Sequence, residues 1–399
     1  MSEKAKVYFA SIQQGRDSAF ASMTAKFDQL LEMLDFSTIE KQDKVAIKMH
    51  LGFSDGYQTV PVFFVRRVVK AVKDAGGWPF ITDNPTAVYN AVERGYTSET
   101  CGCPIIPISG VKDGYKEPVN INYRTVEDLE MAGVIRDADA IVDLAHAKGH
   151  MCAGYGGALK NLAFGCYVAQ TRWQKLHGIE QSIDYWDADK CTPEHAKKLV
   201  DACLYKAISY DEEKHKLKLG AGGCYNSNCF ECLKADEGVG CLKIVPEMFD
   251  SFQEIMAIAT KNVLDTFDEN KRFFLNFLLE ITPHCDCAAI AQPSVVPDIG
   301  IMGSRDLVAI DTASLDYIEK AGIIEHLVPP YFKHFNTDSK MHPLKRLWGP
   351  MKNPYMGLEY VEKMGVGSSN YEVIEILPAE ETLNMEPPKR EYERQPSFY

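Results

Sequence analysis

Lys44-Val-Ala-Ile-Lys48-Met-His50 is a short apolar run that stops in ionisable residues. Its length and β-branched centre predict a buried strand over 44–48. Helical spacing follows over 62–75 and halts at Gly76-Gly77, and a second apolar run over 78–82 ends in Thr82-Asp83-Asn84. Strand, helix and strand in this order make the unit from which parallel sheets are built. Working outward, 7–11 reads as an earlier strand and 20–34 as a helix. Residues 105–108 and 140–144 read as later strands, the second preceded by Asp137 and Asp139. The predicted fold class is therefore α/β, a mostly parallel sheet with helices on both faces.

The rhythm breaks over 185–246, where cysteines concentrate and strand patterning fades. We expect a small cysteine-rich module inserted there, leaving a discontinuous α/β domain of residues 1–184 and 247–370. Within the second part, 247–264 has helical spacing, 273–281 is an apolar run, and Asp298-Ile-Gly-Ile and Leu307-Val-Ala-Ile lead into a helix over 312–321. Loop-like sequence follows Pro329-Pro330, a last helix spans 356–364, and 371–399 reads as an arm or tail.

Composition narrows the function classes. The chain has 399 residues, 46% of them hydrophobic, and a formal charge of −13, which argues against a nucleic-acid or anionic-membrane surface. No apolar stretch approaches the roughly 18 residues of a membrane span, and no signal-peptide pattern follows Met1. Twelve cysteines in such a chain read as reduced thiols and metal ligands in a cytoplasm, and would suit an oxygen-poor habitat.

Cys224, Cys229, Cys232 and Cys241 follow a C-x4-C-x2-C-x8-C spacing within a segment rich in glycine and asparagine. Four soft ligands in one loop point to a metal, with a [4Fe-4S] cluster first, zinc as the alternative and metal-free thiols third. Cys191 and Cys203 in the same segment, and Cys285 and Cys287 further along, are additional candidate metal ligands. Cys285-Asp286-Cys287 and Cys101-Gly-Cys103 each place two thiols one residue apart, an unfavourable separation for a disulfide, since the Cβ vectors normally diverge.

In open α/β sheets, ligands bind beyond the carboxyl ends of the strands. Lys48, His50 and Asp83 fall at such ends, as do His146, Lys148 and His150 in His146-Ala-Lys-Gly-His150, and Asp286 in Thr282-Pro-His-Cys-Asp-Cys287. Histidines and carboxylates there suit proton transfer. Gly156-Gly157-Ala-Leu-Lys160-Asn161 opens a helix, whose free N–H groups and dipole favour an anion, with Lys48 and Lys160 adding positive charge. Neither a P-loop nor a dinucleotide fingerprint is present.

Taken with Gly154-Tyr-Gly-Gly-Ala-Leu-Lys-Asn-Leu-Ala-Phe-Gly-Cys166, Pro297-Asp-Ile-Gly300 and Arg305-Asp-Leu-Val-Ala-Ile-Asp311, these segments resemble the family known as domain of unknown function 362, over about residues 44–370. The resemblance implies an α/β fold and an inserted ferredoxin-type module with two C-x2-C-x2-C-x3-C runs. Here the first run retains only Cys191 and Cys203, and the second is stretched, so one cluster is expected rather than two.

Three functions follow from these features. The first is an iron–sulfur oxidoreductase acting on a small anionic molecule in the His/Lys/Asp cleft, with an electron-transfer protein as its partner. The second is an isomerase or lyase using the same cleft beside a structural metal. The third is a non-catalytic electron carrier or metallocentre-assembly partner, with the C-terminal arm favouring a homodimer.

Overall fold

Eight strands form the central sheet of the computed structural model, which describes residues 4–220 and 223–385. In chain order they are β1 (Ala5–Ser11), β2 (Lys44–Met49), β3 (Trp78–Asp83), β4 (Ile105–Pro107), β5 (Ala140–His146), β6 (Arg272–Leu278), β7 (Gly300–Ser304) and β8 (Tyr371–Glu375). Their spatial order is β8-β1-β7-β6-β5-β2-β3-β4. Every neighbouring pair is parallel except the two made by β7, which runs against β1 and β6. The α/β class read from the sequence is the one observed.

Alternation along β5 shows how the two faces are built. All seven of its residues are buried, as expected for a central parallel strand covered on both sides. Ala140, Val142 and Leu144 join an apolar layer with Phe27 and Leu30 of α1 (Met23–Leu34) and Val65 and Val68 of α2 (Val62–Asp74). Ile141 and Ala145 face the opposite layer. That layer holds α3 (Ala158–Gly165), α5 (Pro246–Leu264) and α6 (Leu307–Ala321). The period of two that separates these sets is the pleat of the strand itself.

Chain order in the sheet reverses at β2. From there β3 and β4 continue to one side, whereas β5 and β6 lie on the other. Loops leaving β2 and β5 therefore diverge, and a crevice opens between their carboxyl ends.

Residues 185–246 contain α4 (Pro193–Ala202) and an antiparallel hairpin, Ile208–Asp211 with Lys216–Leu219. A third apolar cluster, with Ala196, Leu199, Leu217 and Cys241, forms around them. The hairpin corrects the expectation that strand patterning is lost here. A second hairpin, Lys116–Tyr123 with Val126–Ala132, was also not foreseen.

Two boundaries differ further. Leu307-Val-Ala-Ile is the first turn of α6 rather than a lead-in, because Asp306 caps it by accepting from Ala309 N at 2.9 Å. Residues 371–375, expected to begin an arm, add β8 to the sheet edge beside β1. The rest of the expected arm or tail, 386–399, lies outside the described residues. No helix among the described residues is long and apolar enough to cross a membrane.

Candidate functional site

The crevice between β2 and β5 is a cleft of about 70 Å³ lined by Lys48, His50, Asp83, Lys148, Lys160 and Arg172, with Cys285 and Cys287 at one wall. A larger hollow of about 620 Å³ lies between α1 and α2, away from every strand end that carries chemistry.

Asp83, at the end of β3, is the anchor. Its Oδ2 accepts from Leu51 N at 3.0 Å and sits 2.7 Å from His50 Nδ1, while Oδ1 lies 3.3 Å from Lys48 Nζ. Burial alone would raise its pKa. The Lys48 and His50 charges and the hydrogen bonds outweigh this and hold the carboxyl well below the usual range. With Nδ1–H donated to a fixed carboxylate, His50 Nε2 is left as an acceptor. That atom is buried and has no partner among the described residues.

Lys48 Nζ also donates to Asn161 Oδ1 at 2.9 Å. The Asn161 amide donates to Lys48 O at 3.1 Å and to Asp143 Oδ1, tying α3 to β2 and β5. Gly165 is required by this arrangement: a Cβ there would lie 2.2 Å from Lys48 Cε. Asp143 is buried against the same groups, its pKa pushed well above the carboxylate range by burial, with Lys48 opposing.

Across the cleft, Asp286 binds His146 Nδ1 at 2.9 Å and Lys148 Nζ at 2.9 Å. Burial opposes ionisation of Asp286, but the two cations prevail and its pKa lies well below the ordinary value. His146 Nε2 faces Leu279 O at 2.8 Å. Both ring nitrogens thus lie against oxygen atoms of the chain itself, and neither is free towards the cleft. His150 Nδ1 accepts from Cys152 N at 3.1 Å and Ala153 N at 3.0 Å. Burial, then Lys160 and His177, drive its pKa well below 6.5. Of the three histidines expected to catalyse, His50 is the one that lines the cleft with a ring nitrogen lacking a partner among the described residues.

The anion site expected at the start of α3 is already filled from within. Ala158 N donates to Asp311 Oδ1 at 3.0 Å and Leu159 N to Oδ2 at 2.9 Å. A Cβ on Gly157 would lie 2.5 Å from Asp311 Oδ1 and 2.3 Å from Tyr155 OH, so this glycine admits the carboxylate of α6 rather than a ligand. Gly156 still lines the cleft, Asn161 is committed to Lys48 and Asp143, and Lys160 remains available. Its amine has no carboxylate partner among the described residues and lies 5.3 Å from the Phe164 ring. Burial first, then the Lys148 charge, lower its pKa to about 7. Arg172, on the turn Thr171–Leu176, was not anticipated. It reaches the cleft with a buried Nε that has no partner among the described residues, and no local motif announces it.

The cysteines are redistributed. Cys203 acts electrostatically on Cys224, Cys229 and Cys232, and these thiols form one neighbourhood. Burial raises the Cys232 thiol to about 12, with Cys224, Cys203 and Cys229 adding to it. Cys241, expected as the fourth ligand of that set, instead meets Cys191, Asp236 and His195. Cys285 and Cys287 are bonded to each other as a disulfide, so neither offers a thiolate to a metal, contrary to expectation. Cys101 and Cys103 remain free and buried.

The thiol neighbourhood is pinned to the cleft. Ser227 N donates to Trp348 O at 2.9 Å, and Trp348 Nε1 donates to Pro283 O at 2.9 Å, beside the Cys285–Cys287 loop. Lys352, fully buried, donates to Cys224 O at 2.6 Å and to Met151 O, next to His150. The loop-like sequence after Pro329 therefore folds back onto its own chain.

The chain is thus an α/β protein with a cationic cleft at the switch point of its sheet and a cysteine-rich segment docked beside it. Residues 45–316 match the family described as domain of unknown function (DUF362), and the chain belongs to that family. No curated protein matches it. Among solved structures it is similar to the lactate racemase apoprotein from Thermoanaerobacterium thermosaccharolyticum, at 12% identity and a TM-score of 0.37, over 74% of this chain and 56% of that one. It is also similar to a structural-genomics protein from Thermotoga maritima, at 9% identity and a TM-score of 0.35, over 66% and 52% of the two chains. The chain spans about half the length of these structures.

Proposed function

We propose that this protein is an iron–sulfur oxidoreductase acting on a small anionic molecule in the Lys48–His50–Asp83 cleft. The observation that carries the proposal is the docking of a four-thiol neighbourhood, Cys203, Cys224, Cys229 and Cys232, against the loops that wall the cleft. These four residues would hold one [4Fe-4S] cluster. Its fit is supported by the donors, all thiols, and by Ala207 N donating to Cys203 Sγ at 3.2 Å, the kind of backbone contact that tunes cluster sulfurs. No three of these sulfurs lie within 4.8 Å of one another. A single tetrahedral zinc needs ligand separations of roughly 4 Å or less, whereas a cubane spreads its thiolates wider.

When bound, the cluster would supply single electrons. The chain's own residues would do the rest. Lys48, Lys148, Lys160 and Arg172 give the cleft a surplus of positive charge in an acidic protein, which favours an anionic ligand. A cavity of about 70 Å³ limits that ligand to a few heavy atoms. His50, oriented by Asp83, would take or give the accompanying proton at Nε2.

Purification without oxygen, followed by iron, zinc and acid-labile sulfide analysis, tests the proposal. About four irons per chain with a dithionite-bleached visible band are expected; colourless, iron-free protein would end it. A second reading, an isomerase or lyase, is favoured by Lys160, an unpaired amine at about 7 that could exchange a proton at neutral pH. Turnover that persists after the iron is removed would select it.

A further inference from the structure

The cysteines left over from the four-thiol neighbourhood meet a histidine and a carboxylate at one point. Cys191 directly precedes Thr192, which caps α4, and His195 lies in the first turn of that helix. Asp236 follows the short helix Glu231–Ala235, and Cys241 comes after a turn with Gly238 and Gly240 at positive φ. The ligand atoms of His195, Asp236 and Cys241 all lie within 4.8 Å of one another. His195 Nε2 is 2.8 Å from Asp236 Oδ1, and Cys241 Sγ is 3.3 Å from the same oxygen. Cys191 is buried in the same apolar cluster as Cys241, near its thiol but outside that three-residue convergence. Cys191, Asp236 and Cys241 are buried, and the His195 side chain is 12% exposed.

From this geometry we propose that Cys191, His195, Asp236 and Cys241 form a mononuclear zinc site, separate from the cluster thiols. Two sulfurs, one imidazole nitrogen and one carboxylate oxygen are a complete tetrahedral donor set. With metal–ligand lengths of about 2.0–2.3 Å, neighbouring donors around zinc stand roughly 3–4 Å apart, so the His195, Asp236 and Cys241 contacts need only small adjustments, and the Cys191 thiol must swing in to complete the set. The outer contacts are in place as well. Asp236 Oδ2 accepts from Leu242 N at 2.8 Å, which leaves Oδ1 as the single ligating oxygen. Cys241 O accepts from Asp187 N at 2.8 Å and fixes the loop from the other side. No crowded iron cube is called for, because His195, Asp236 and Cys241 already converge at the spacing of one ion, with Cys191 the donor that closes in as the fourth.

The site would act as a staple. It joins α4 to the Asp236–Cys241 loop, closing the apolar cluster of Ala196, Leu199 and Leu217, in a segment whose small core gains from a cross-link. Without an ion, the same contacts would be a plain hydrogen-bond network around Asp236.

The test uses full-length protein purified without oxygen. Zinc and iron are quantified together, and zinc K-edge EXAFS is recorded on the unaltered chain. About one zinc per chain is expected, with two sulfurs and two nitrogen or oxygen atoms in its first shell. His195→Gln and Asp236→Asn should each lower zinc content at least about tenfold while iron is unchanged. Cys229→Ser should lower iron and leave zinc in place, which separates this site from the cluster proposal. Zinc-free protein that also develops no cobalt(II)–thiolate absorbance on cobalt addition overturns the inference and leaves the hydrogen-bond network. A four-sulfur zinc shell, or zinc lost with Cys229→Ser, overturns it too, because the ion would then sit among the other thiols.

Discussion

Asp311 closes the N-terminus of α3 by accepting from Ala158 N at 3.0 Å and Leu159 N at 2.9 Å, a partnership across more than 150 residues. Asn276 Nδ2 donates to the same carboxylate at 2.7 Å. The glycine-rich turn is thus an internal joint between α3, β6 and α6, and the charge that would attract an anion there is already neutralised by the chain.

Asp311→Ala should therefore act on stability. It strands two helix N–H groups and a buried amide, and the expected cost is about 3 kcal/mol. Urea unfolding should show a lower midpoint with an unchanged slope. Asp311→Asn keeps an acceptor and should lose less. Equal loss from both variants would mean that shape rather than hydrogen bonding matters here.

On the proposed function, Lys160 should set the pH dependence of anion binding. Its pKa of about 7 leaves the amine charged at pH 6 and mostly neutral at pH 8. Sulfate, whose own charge is constant over this range, should bind more weakly as pH rises through 7 when followed by calorimetry. Lys160→Met should reduce affinity about tenfold at pH 6, equivalent to roughly 1.4 kcal/mol, and flatten the profile. An unchanged profile in the variant would assign the effect to another group.

Glu180 carries a stability penalty that grows with pH. It is fully buried, neither carboxyl oxygen has a partner among the described residues, and burial, opposed by Lys352, raises its pKa to about 8. The unfolded chain ionises this group near 4.3, so between there and 8 the native state binds more protons than the unfolded one. Stability from this residue is therefore full at low pH and declines as pH rises through that window. Glu180→Gln should remove the decline and raise stability at pH 8 by on the order of 2 kcal/mol. Thermal melts across pH 5–8 would reveal it; parallel profiles for the two proteins would contradict it.

Cys203 and Cys241 should differ in what they bind. Cys203→Ser should remove most of the iron, as should Cys232→Ser, whereas Cys241→Ser should leave iron near the unaltered level. Iron lost with Cys241→Ser but kept with Cys203→Ser would restore the ligand set that sequence spacing alone favours.

Much of the frame was legible in the sequence because it rests on local pattern. The runs at 44–48, 78–82 and 140–144 alternate with helical spacing, and such periods fix which residues face the core. Knowing that strands are parallel also places their carboxyl ends together, which is why Lys48, His50, Asp83 and Lys148 could be named before their contacts were seen. The edge strand at 371–375 and the hairpin at 116–132 escaped because their alternating polar residues resemble loop.

By itself, the sequence determined the α/β class, the strand ends that meet at one crevice, and the presence of more thiols than a large core requires. Only the tertiary structure decided which group partners which. Asp311 reaches α3, Arg172 reaches the cleft, Cys203 rather than Cys241 neighbours Cys224, Cys229 and Cys232, and both nitrogens of His146 are consumed by Asp286 and Leu279. The reason is physical. Periodicity is a property of neighbouring residues, whereas a buried polar atom takes whichever partner the packing of distant elements brings within about 3 Å.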